Sequence, residues 1–353
     1  MGHGAEVMHS EISDSGYSQS GPFLVKRGMR IVIPGGSGQV GRMLAAYLQQ
    51  RGHHVTVLTR GPYTAQWDTV HWDGKTLGPW VETLEGVDAC IHLSGRSINC
   101  RYTAKNRREL HDSRIGPTRL LHEAIAGLAA PPRVWLNASA SSIYRHSVDK
   151  PMDEATGEIG GGEWIGDGMF GPRRAPETWS WSVELVKDWE AAFFETPTPQ
   201  TRKVALRTSL VMSPVPGSVF GALSNLVRAG LGGTQGNGRQ YVAWMHEADY
   251  ARAVEFLIQN EDMAGPVNLA APGPVPNREF MAELREAWDR PNGLPAPALL
   301  MKIGMFFLRT EPELILKSRF VVPGKLLDAG FEFEFPEWRE AAEDLVRQWR
   351  ARE

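Results

Sequence analysis

A tyrosine that follows a run of serines and precedes a lysine is the first candidate for chemistry, in "ASASSIYRHSVDK", residues 138–150. A lysine ammonium beside a tyrosine lowers the pKa of the phenol, which can then act as a general acid or base. On a helix this pairing needs a spacing of four residues, which places both side chains on one face. Tyr144 and Lys150 are six residues apart, about 240° around a helix, and Lys150 precedes Pro151, where helix is disfavoured. We therefore predict that they do not form such a pair.

The strongest chemical signal is a glycine-rich run, "IVIPGGSGQVGR", at residues 31–42. Gly35, Gly38 and Gly41 satisfy G-x-x-G-x-x-G, and Gly36, Gly38 and Gly41 also satisfy G-x-G-x-x-G. The first glycine permits a tight turn, the middle one lets backbone amides approach a pyrophosphate, and the last lets helix and strand pack closely. The N-terminus of the following helix adds partial positive charge. A glycine-rich turn without a ligand is the alternative. The residues of the predicted dinucleotide cradle are Gly35, Gly36, Ser37, Gly38, Gln39, Val40 and Gly41.

The residues that end the second predicted strand indicate which dinucleotide would bind. An acidic residue at this place would hydrogen-bond the ribose 2′-hydroxyl of NAD, but the sequence has Thr59 and Arg60 there. A guanidinium pairs with a 2′-phosphate through a charge-assisted bond that contributes roughly 1.5–3 kcal/mol, about ten- to hundredfold in affinity. The prediction is therefore NADP(H) rather than NAD(H). The alternative is an ordinary solvated arginine in a turn.

Alternating strands and helices must position these residues. Short apolar runs alternate with stretches of helical period, which indicates parallel βαβ units. The predicted fold is α/β, an NAD(P)-binding Rossmann fold with a doubly wound parallel sheet and a smaller, mostly helical C-terminal lobe. The predicted strands lie at 30–33, 55–58, 89–93, 134–138 and 204–212.

The chain divides into three predicted parts. Residues 1–28 are polar and rich in Gly and Ser and are predicted to be a flexible extension. Residues 29–230 form the predicted NADP-binding domain, whose sheet is completed by segments up to about residue 270. Prolines interrupt short elements after Gly230, and residues 231–353 are predicted to be a substrate lobe and C-terminal helical domain.

Composition limits the expected partners. The chain has 353 residues with 38 Lys and Arg against 41 Asp and Glu, a net charge of −3, and so lacks the basic surplus typical of nucleic-acid binding. Its two cysteines suggest neither a disulfide framework nor a metal site, and no apolar run reaches the about 20 residues that span a bilayer. We expect a cytoplasmic protein that acts on a small molecule, without a metal, nucleic-acid or membrane partner. Whether the chain forms a homodimer is left open by the sequence.

Several further motifs, together with the cradle, resemble a known family. They are "GVDACIHLSG" (86–95), "SASSIY" (139–144) and "GNGRQYVAWMHEADYARAV" (236–254). In this order they resemble the extended short-chain dehydrogenase/reductases, the group of the nucleoside-diphosphate-sugar epimerases. More narrowly, "RRELHDSRIGPTRLL", "WEAA", "RTSLVMSP" and "LLDAGFEFEFP" resemble the "epimerase family protein" branch, whose members end in a small C-terminal domain of unknown function. The resemblance covers residues 29–345.

The resemblance implies further cofactor contacts. Glu109 and Arg114 are among them. Because positions five apart do not share one helical row, a surface ion pair is a poor explanation for these two residues, and a purely structural role for each is the alternative. The implied contacts are Thr59 and Arg60 at the adenosine phosphate, Leu93, Ser94 and Gly95 beneath the cofactor, Glu109 and Arg114 beside it, and the backbone at Val211 at the nicotinamide end.

The resemblance also says where proton transfer would be expected. In the extended enzymes the acting tyrosine belongs to a Tyr-x-x-x-Lys dyad on a later helix, about eight residues before a glutamate. Counting back from Glu190 puts Ser182 in the tyrosine position and Val186 in the lysine position. Since a valine cannot replace an ammonium, we expect the dyad to be absent.

Candidates for catalysis remain near the end of a central strand, where α/β sheets bind ligands. Ser139 or Ser141 would hydrogen-bond a substrate carbonyl, and Tyr144 would act as the acid. The alternatives are serines that only cap the strand end and a tyrosine that packs under the loop.

A later segment supplies the predicted substrate contacts. Arg239, in "GNGRQ", stands where the sugar-nucleotide epimerases place an arginine on substrate phosphates, and Trp244 and His246 follow it. Core packing is the alternative for the tryptophan, and a satisfied interior histidine for His246.

Two functions fit these observations. The first is an NADP(H)-binding oxidoreductase or epimerase-like enzyme that acts on an unidentified small substrate. The second is a non-catalytic NADP(H) sensor or scaffold protein, which the missing dyad allows.

Overall fold

The computed structural model describes residues 28–61, 65–166, 173–296 and 311–353. The predicted extension 1–28 therefore lies, apart from Gly28, outside the described residues.

A seven-stranded parallel sheet forms the centre of the molecule. The first strand, β1, lies between β2 and β4, so the order of the strands reverses beside it. In sheets of this kind the ligand crevice lies at that reversal, outside the carboxyl ends of the strands. The predicted doubly wound parallel sheet is confirmed. Its spatial order is β12 (Gly265–Leu269), β8 (Arg202–Thr208), β5 (Val134–Ala140), β4 (Ala89–His92), β1 (Arg30–Pro34), β2 (His54–Thr59) and β3 (Asp68–His71).

Short strands pair outside this sheet. The predicted strand 204–212 is divided at Ser209, because the Ser209 amide still donates to Leu269 O whereas the Leu210 amide donates to Ala243 O. The short pairs are β6 (Trp164–Ile165) with β7 (Arg173–Arg174), β9 (Leu210–Met212) with β11 (Trp244–His246), and β10 (Tyr241–Val242) with β13 (Val275–Pro276).

Helices cover the sheet and build the C-terminal lobe. The first helix packs Leu44, Ala45 and Leu48 into the main core, which follows from their helical spacing. No helix in the described ranges is long and apolar enough to cross a membrane. The helices are α1 (Gln39–Gln50), α2 (Ala104–Ala126), α3 (Glu177–Phe194), α4 (Val219–Arg228), α5 (Glu247–Gln259), α6 (Asn277–Ala287), α7 (Glu313–Leu316), α8 (Gly324–Asp328) and α9 (Trp338–Arg350).

A second core forms where α4, α6 and α9 meet. Phe280 stacks on Trp338 with ring centroids 4.0 Å apart, and Trp244 packs against the same ring. The main sheet also takes its edge strand β12 from beyond residue 230. The division of the chain into two domains at that residue stays a prediction.

Candidate functional site

The glycine cradle connects β1 to α1 at the reversal of the sheet. Gly35 has φ +79°, and a Cβ there would lie 2.7 Å from Ser94 Cα. A Cβ on Gly41 would lie 2.5 Å from Gly36 Cα. These two glycines are therefore required by close packing, because a side chain has no room at either place.

Gly38 differs, because it leaves open space at the helix N-terminus. It is exposed, and the nearest atom to a Cβ built on it is Gly35 O at 3.7 Å. It also gives no side-chain cap to α1, whose first turn carries no acidic residue. The first amides of α1 consequently have no side-chain acceptor and face an accessible space, the arrangement that binds a phosphate.

The end of β2 closes one side of this cradle. Thr59 is buried, and its hydroxyl donates to Ser37 Oγ at 3.1 Å. Arg60 follows as an exposed residue that pairs with no carboxylate in the described part of the chain. Arg60 thus follows the strand end that borders the cradle, and no ion pair of its guanidinium occurs among the described residues.

The loop after β4 closes the other side. The Leu93 amide donates to Pro34 O at 2.8 Å, and Ser94 lies against Gly35. A Cβ on Gly95 would lie 3.4 Å from the guanidinium carbon of Arg114. The structure thus brings these residues to the cradle, as the resemblance implies, and their contact with a cofactor stays a prediction.

The family resemblance places Arg114 and Glu109 beside the cofactor. The two side chains do not pair with each other. Glu109 contacts Arg96 at 2.7 Å, whereas the buried Arg114 guanidinium donates to the carbonyls of Leu110 and Arg96. Burial lowers the pKa of Arg114 to about 10. Arg114 is thus a buried cation whose described hydrogen bonds go to neutral acceptors.

A buried polar network lies under the end of β5. Ser139 Oγ donates to Glu190 Oε1 at 2.6 Å. Glu190 accepts two bonds from Arg207, both 2.8 Å long. Arg207 Nη1 also donates to the Tyr144 hydroxyl at 2.9 Å, which in turn donates to Asn268 Oδ1 at 3.0 Å. Burial raises the pKa of Tyr144, although Arg207 and Asn268 oppose the shift.

This network contains two of the three predicted catalytic residues, Ser139 and Tyr144. The third, Ser141, begins a short 3-10 turn after β5, is buried, and its hydroxyl makes no hydrogen bond to a described residue. The sequence did not predict that Arg207 belongs to this network, although "RTSLVMSP" begins with that residue. Glu190 served only as the reference position for locating the expected dyad.

The positions assigned to the dyad also have other partners. Ser182 donates to Glu313 Oε1, and Val186 packs with Ile143 and Tyr144. Lys150 is partly exposed in a loop, where its Nζ donates to Thr156 O at 3.0 Å and contacts Glu158 at 3.3 Å.

The lysine that does reach the end of β5 is Lys317, which follows α7. Its Nζ donates to Ser142 O at 2.9 Å. Burial lowers the pKa of Lys317 to about 8 and raises the pKa of Glu313. No local sequence signal points to Lys317 or Glu313, because each lies more than 120 positions from its partner, at separations of 175 and 131.

Trp244 and His246, which the sequence predicts to contact substrate, have protein partners in the structure, and their substrate role stays a prediction. Trp244 is fully buried in the second core, and its Nε1 donates to Gly273 O at 3.1 Å. His246 is also buried: its Nδ1 accepts from the Ala248 amide and caps α5, while Nε2 lies 3.1 Å from Asp344 Oδ2. Core packing and helix capping account for both side chains.

The other predicted contacts lie nearer the surface. Arg239 is exposed and follows Gly236 and Gly238, which have φ +64° and +71°. Val211 is half-buried in β9 and pairs with Met245. Their roles toward substrate and cofactor stay predictions.

Comparison with known proteins identifies the family. The model of the NAD dependent epimerase/dehydratase family matches residues 31–160, and a domain of unknown function (DUF1731) matches residues 296–345. The epimerase family protein MT2273 of Mycobacterium tuberculosis is 32% identical over 305 residues, which are 86% of this chain and 93% of that protein. The bovine epimerase family protein SDR39U1 is 30% identical over 322 residues, 90% of this chain and 100% of the relative.

A solved structure agrees with these relatives. The crystal structure of human epimerase family protein SDR39U1 (isoform2) with NADPH superposes with a TM-score of 0.77 at 27% identity, covering 90% of this chain and 99% of that one. The chain therefore belongs to the epimerase family proteins, an extended branch of the short-chain dehydrogenase/reductases that carries a C-terminal DUF1731 domain.

Proposed function

We propose that this chain binds NADP(H) in the cradle and transfers a hydride between the nicotinamide and a carbon of a small carbonyl or hydroxyl substrate. The observation that carries the cofactor assignment is the open α1 N-terminus at Gly38 together with Arg60, an exposed residue at the end of β2 that has no carboxylate partner among the described residues. Backbone amides and a helix N-terminus suit a pyrophosphate, and the guanidinium suits a 2′-phosphate. The related human protein, whose structure contains NADPH, supports the same assignment.

The bound cofactor would supply the hydride or accept it, and residues of this chain would orient the substrate oxygen. Ser139 and Tyr144 are held in the buried network, so we assign them the positioning of the strand end. We assign the hydrogen bond to the substrate oxygen to Ser141, whose hydroxyl is free of described partners. Arg239, exposed in its turn, is assigned to an anionic part of the substrate.

Replacing Arg60 with aspartate should weaken NADPH binding by about ten- to hundredfold and leave NADH binding nearly unchanged. The reason is that only NADPH carries the 2′-phosphate that the guanidinium would pair with. Tryptophan fluorescence quenching with each nucleotide measures both affinities. The matched control is Arg290→Asp, the same charge change at an exposed residue of the C-terminal lobe. Equal losses for both nucleotides would rule out the 2′-phosphate assignment.

A turnover assay distinguishes an enzyme from a non-catalytic NADP(H) sensor or scaffold. Purified protein is mixed with NADPH and a panel of carbonyl compounds and sugar nucleotides, and the loss of NADPH absorbance is followed. Oxidation with at least one compound is the expected result. Tight NADPH binding without oxidation of any would instead favour a non-catalytic sensor or scaffold.

A further inference from the structure

The segment after residue 311 brings two buried charged groups to the carboxyl end of the sheet. Glu313 and Lys317 are each 1% exposed, and they hold the start of α3 and the turn after β5 respectively. Ser182 on α3 donates to Glu313, and Lys317 donates to the carbonyl of Ser142. The C-terminal domain therefore reaches the same strand end as the predicted catalytic serines.

Neither group has its bonding capacity filled. Glu313 Oε2 is buried without a hydrogen-bond partner. The Lys317 ammonium has three donors, and within the described residues it makes one hydrogen bond, to Ser142, and no ion pair within 4.0 Å. Arg319, 3.7 Å from Glu313, bonds backbone carbonyls of its own segment. Because burying charged groups without full pairing is costly, this arrangement points to a ligand.

The cradle fixes which half of a dinucleotide would lie near this pair. A pyrophosphate at the N-terminus of α1 and a 2′-phosphate at Arg60 place the adenosine half over the end of β2. The nicotinamide half must then extend in the opposite direction, over the ends of β4 and β5, because β1 lies between β2 and β4. Ser142 and Lys317 stand at the end of β5.

We propose that Lys317 is the catalytic proton-transfer residue of this site, held at the turn after β5 by its bond to the carbonyl of Ser142. The proposal rests on the proposed function. In the oxidising direction the substrate C–H bond breaks and its hydride passes to the oxidised nicotinamide cofactor. The O–H bond breaks and its proton passes to the neutral Lys317 amine, so that a C=O bond and an ammonium form. Reduction reverses each transfer, with the ammonium as the acid.

The charged groups around Lys317 suit this use. Burial lowers its pKa, the carboxylates of Glu313 and Glu163 raise it, and Arg319 lowers it, with a result of about 8. Amine and ammonium are then both populated near neutral pH, as a group that alternates between acid and base requires.

Chemical labelling tests the place of Lys317 without a known substrate. The full-length protein is treated with 1-fluoro-2,4-dinitrobenzene, which reacts with neutral amines, and each lysine is followed by mass spectrometry. NADPH at about ten times its Kd should slow the labelling of Lys317 about tenfold. The fragment 2′-phosphoadenosine diphosphoribose, which has no nicotinamide, should leave it unchanged.

Lys203 is the internal control for this labelling. Burial also lowers its pKa to about 8, but it lies near the amino end of β8, where its Nζ donates to Phe193 O. Neither nucleotide should protect it. NADPH that binds by fluorescence quenching but leaves Lys317 unprotected overturns the inference and spares the proposed function, as does a Lys317 that is never labelled. Failure of NADPH to bind overturns both.

Variants test the chemistry with any panel compound that is reduced. Lys317→Met should lower kcat by about a hundredfold or more and leave the KM for NADPH within a factor of about two. Lys317→Arg, which keeps the positive charge but cannot release a proton, should not restore kcat. Lys150→Met, at a partly exposed loop lysine that bonds Thr156 and Glu158, should behave as the parent protein. Full kcat in Lys317→Met, or recovery in Lys317→Arg, would show that Lys317 is only structural.

Discussion

Replacing Glu190 with alanine is expected to destabilise the protein by about 3–5 kcal/mol, because it leaves the Arg207 guanidinium buried without its carboxylate. The side chains of Arg207 and Glu190 are 9% and 10% exposed and share two bonds of 2.8 Å. The change also removes the acceptor of the Ser139 hydroxyl. Urea unfolding measures the effect as a lower midpoint at an unchanged slope.

A double variant distinguishes the cost of leaving one buried charge unpaired from the contribution of the ion pair itself. In the double variant Glu190→Leu with Arg207→Met, neither charge remains. The loss in the free energy of unfolding should therefore be several kcal/mol smaller than in Glu190→Ala alone. A single-variant loss below about 1 kcal/mol would mean that water reaches Arg207 and solvates it, as for a surface pair. That result would contradict the burial of the ion pair between Glu190 and Arg207.

The size of this effect follows from the place of the pair in the fold. Glu190 belongs to α3 and Arg207 to β8, and through Ser139 and Tyr144 they hold both ends of the turn after β5. Asn268 adds the edge strand β12. One ionic pair therefore fixes four elements beneath the carboxyl edge of the sheet, where the candidate site lies.

Local requirements made the cradle and the sheet predictable from sequence. Gly35 and Gly41 are required by close backbone contacts, and such glycines form a recognisable spacing in the sequence. The apolar strands alternate with amphipathic helices, which predicts the sheet. The edge strand β3 was missed, because its residues 68–71 are largely exposed and carry little apolar pattern. Thr59 and Arg60 could be proposed from sequence because a strand end has a fixed place relative to the cradle, and their contact with a cofactor stays a prediction.

The contacts that bring Lys317 to the end of β5 are not local. Lys317 bonds the carbonyl of Ser142, 175 positions earlier, and no spacing rule reports such a pair. The burial of Trp244 was not predictable for a related reason: residue type does not distinguish an aromatic ring over a cleft from one inside a core. Its neighbour Trp338 comes from the distant helix α9. Sequence reasoning thus identified the residues of the proposed phosphate-binding half and did not identify Glu313 and Lys317 at the end of β5.

Gly38→Ala is expected to reduce NADPH affinity by more than about tenfold while unfolding changes by no more than about 0.5 kcal/mol. Gly38 has φ −69° and ψ 170°, a conformation open to alanine, and its added methyl meets only Gly35 O at 3.7 Å. The methyl would instead occupy the space through which a pyrophosphate reaches the amides of α1. Fluorescence quenching and urea unfolding on the same sample measure the two effects.

Gly41→Ala is the matched control, since the same methyl group is added three residues later. Its Cβ would lie 2.5 Å from Gly36 Cα, backbone that can move only if β1 and α1 separate. A loss of about 1–3 kcal/mol or more in stability is expected there, with cofactor binding lost as a consequence. If Gly38→Ala instead binds NADPH like the parent protein, the open face of the cradle is not where the pyrophosphate lies. Binding lost without unfolding at Gly38, and with unfolding at Gly41, would show that the two glycines serve the ligand and the fold respectively.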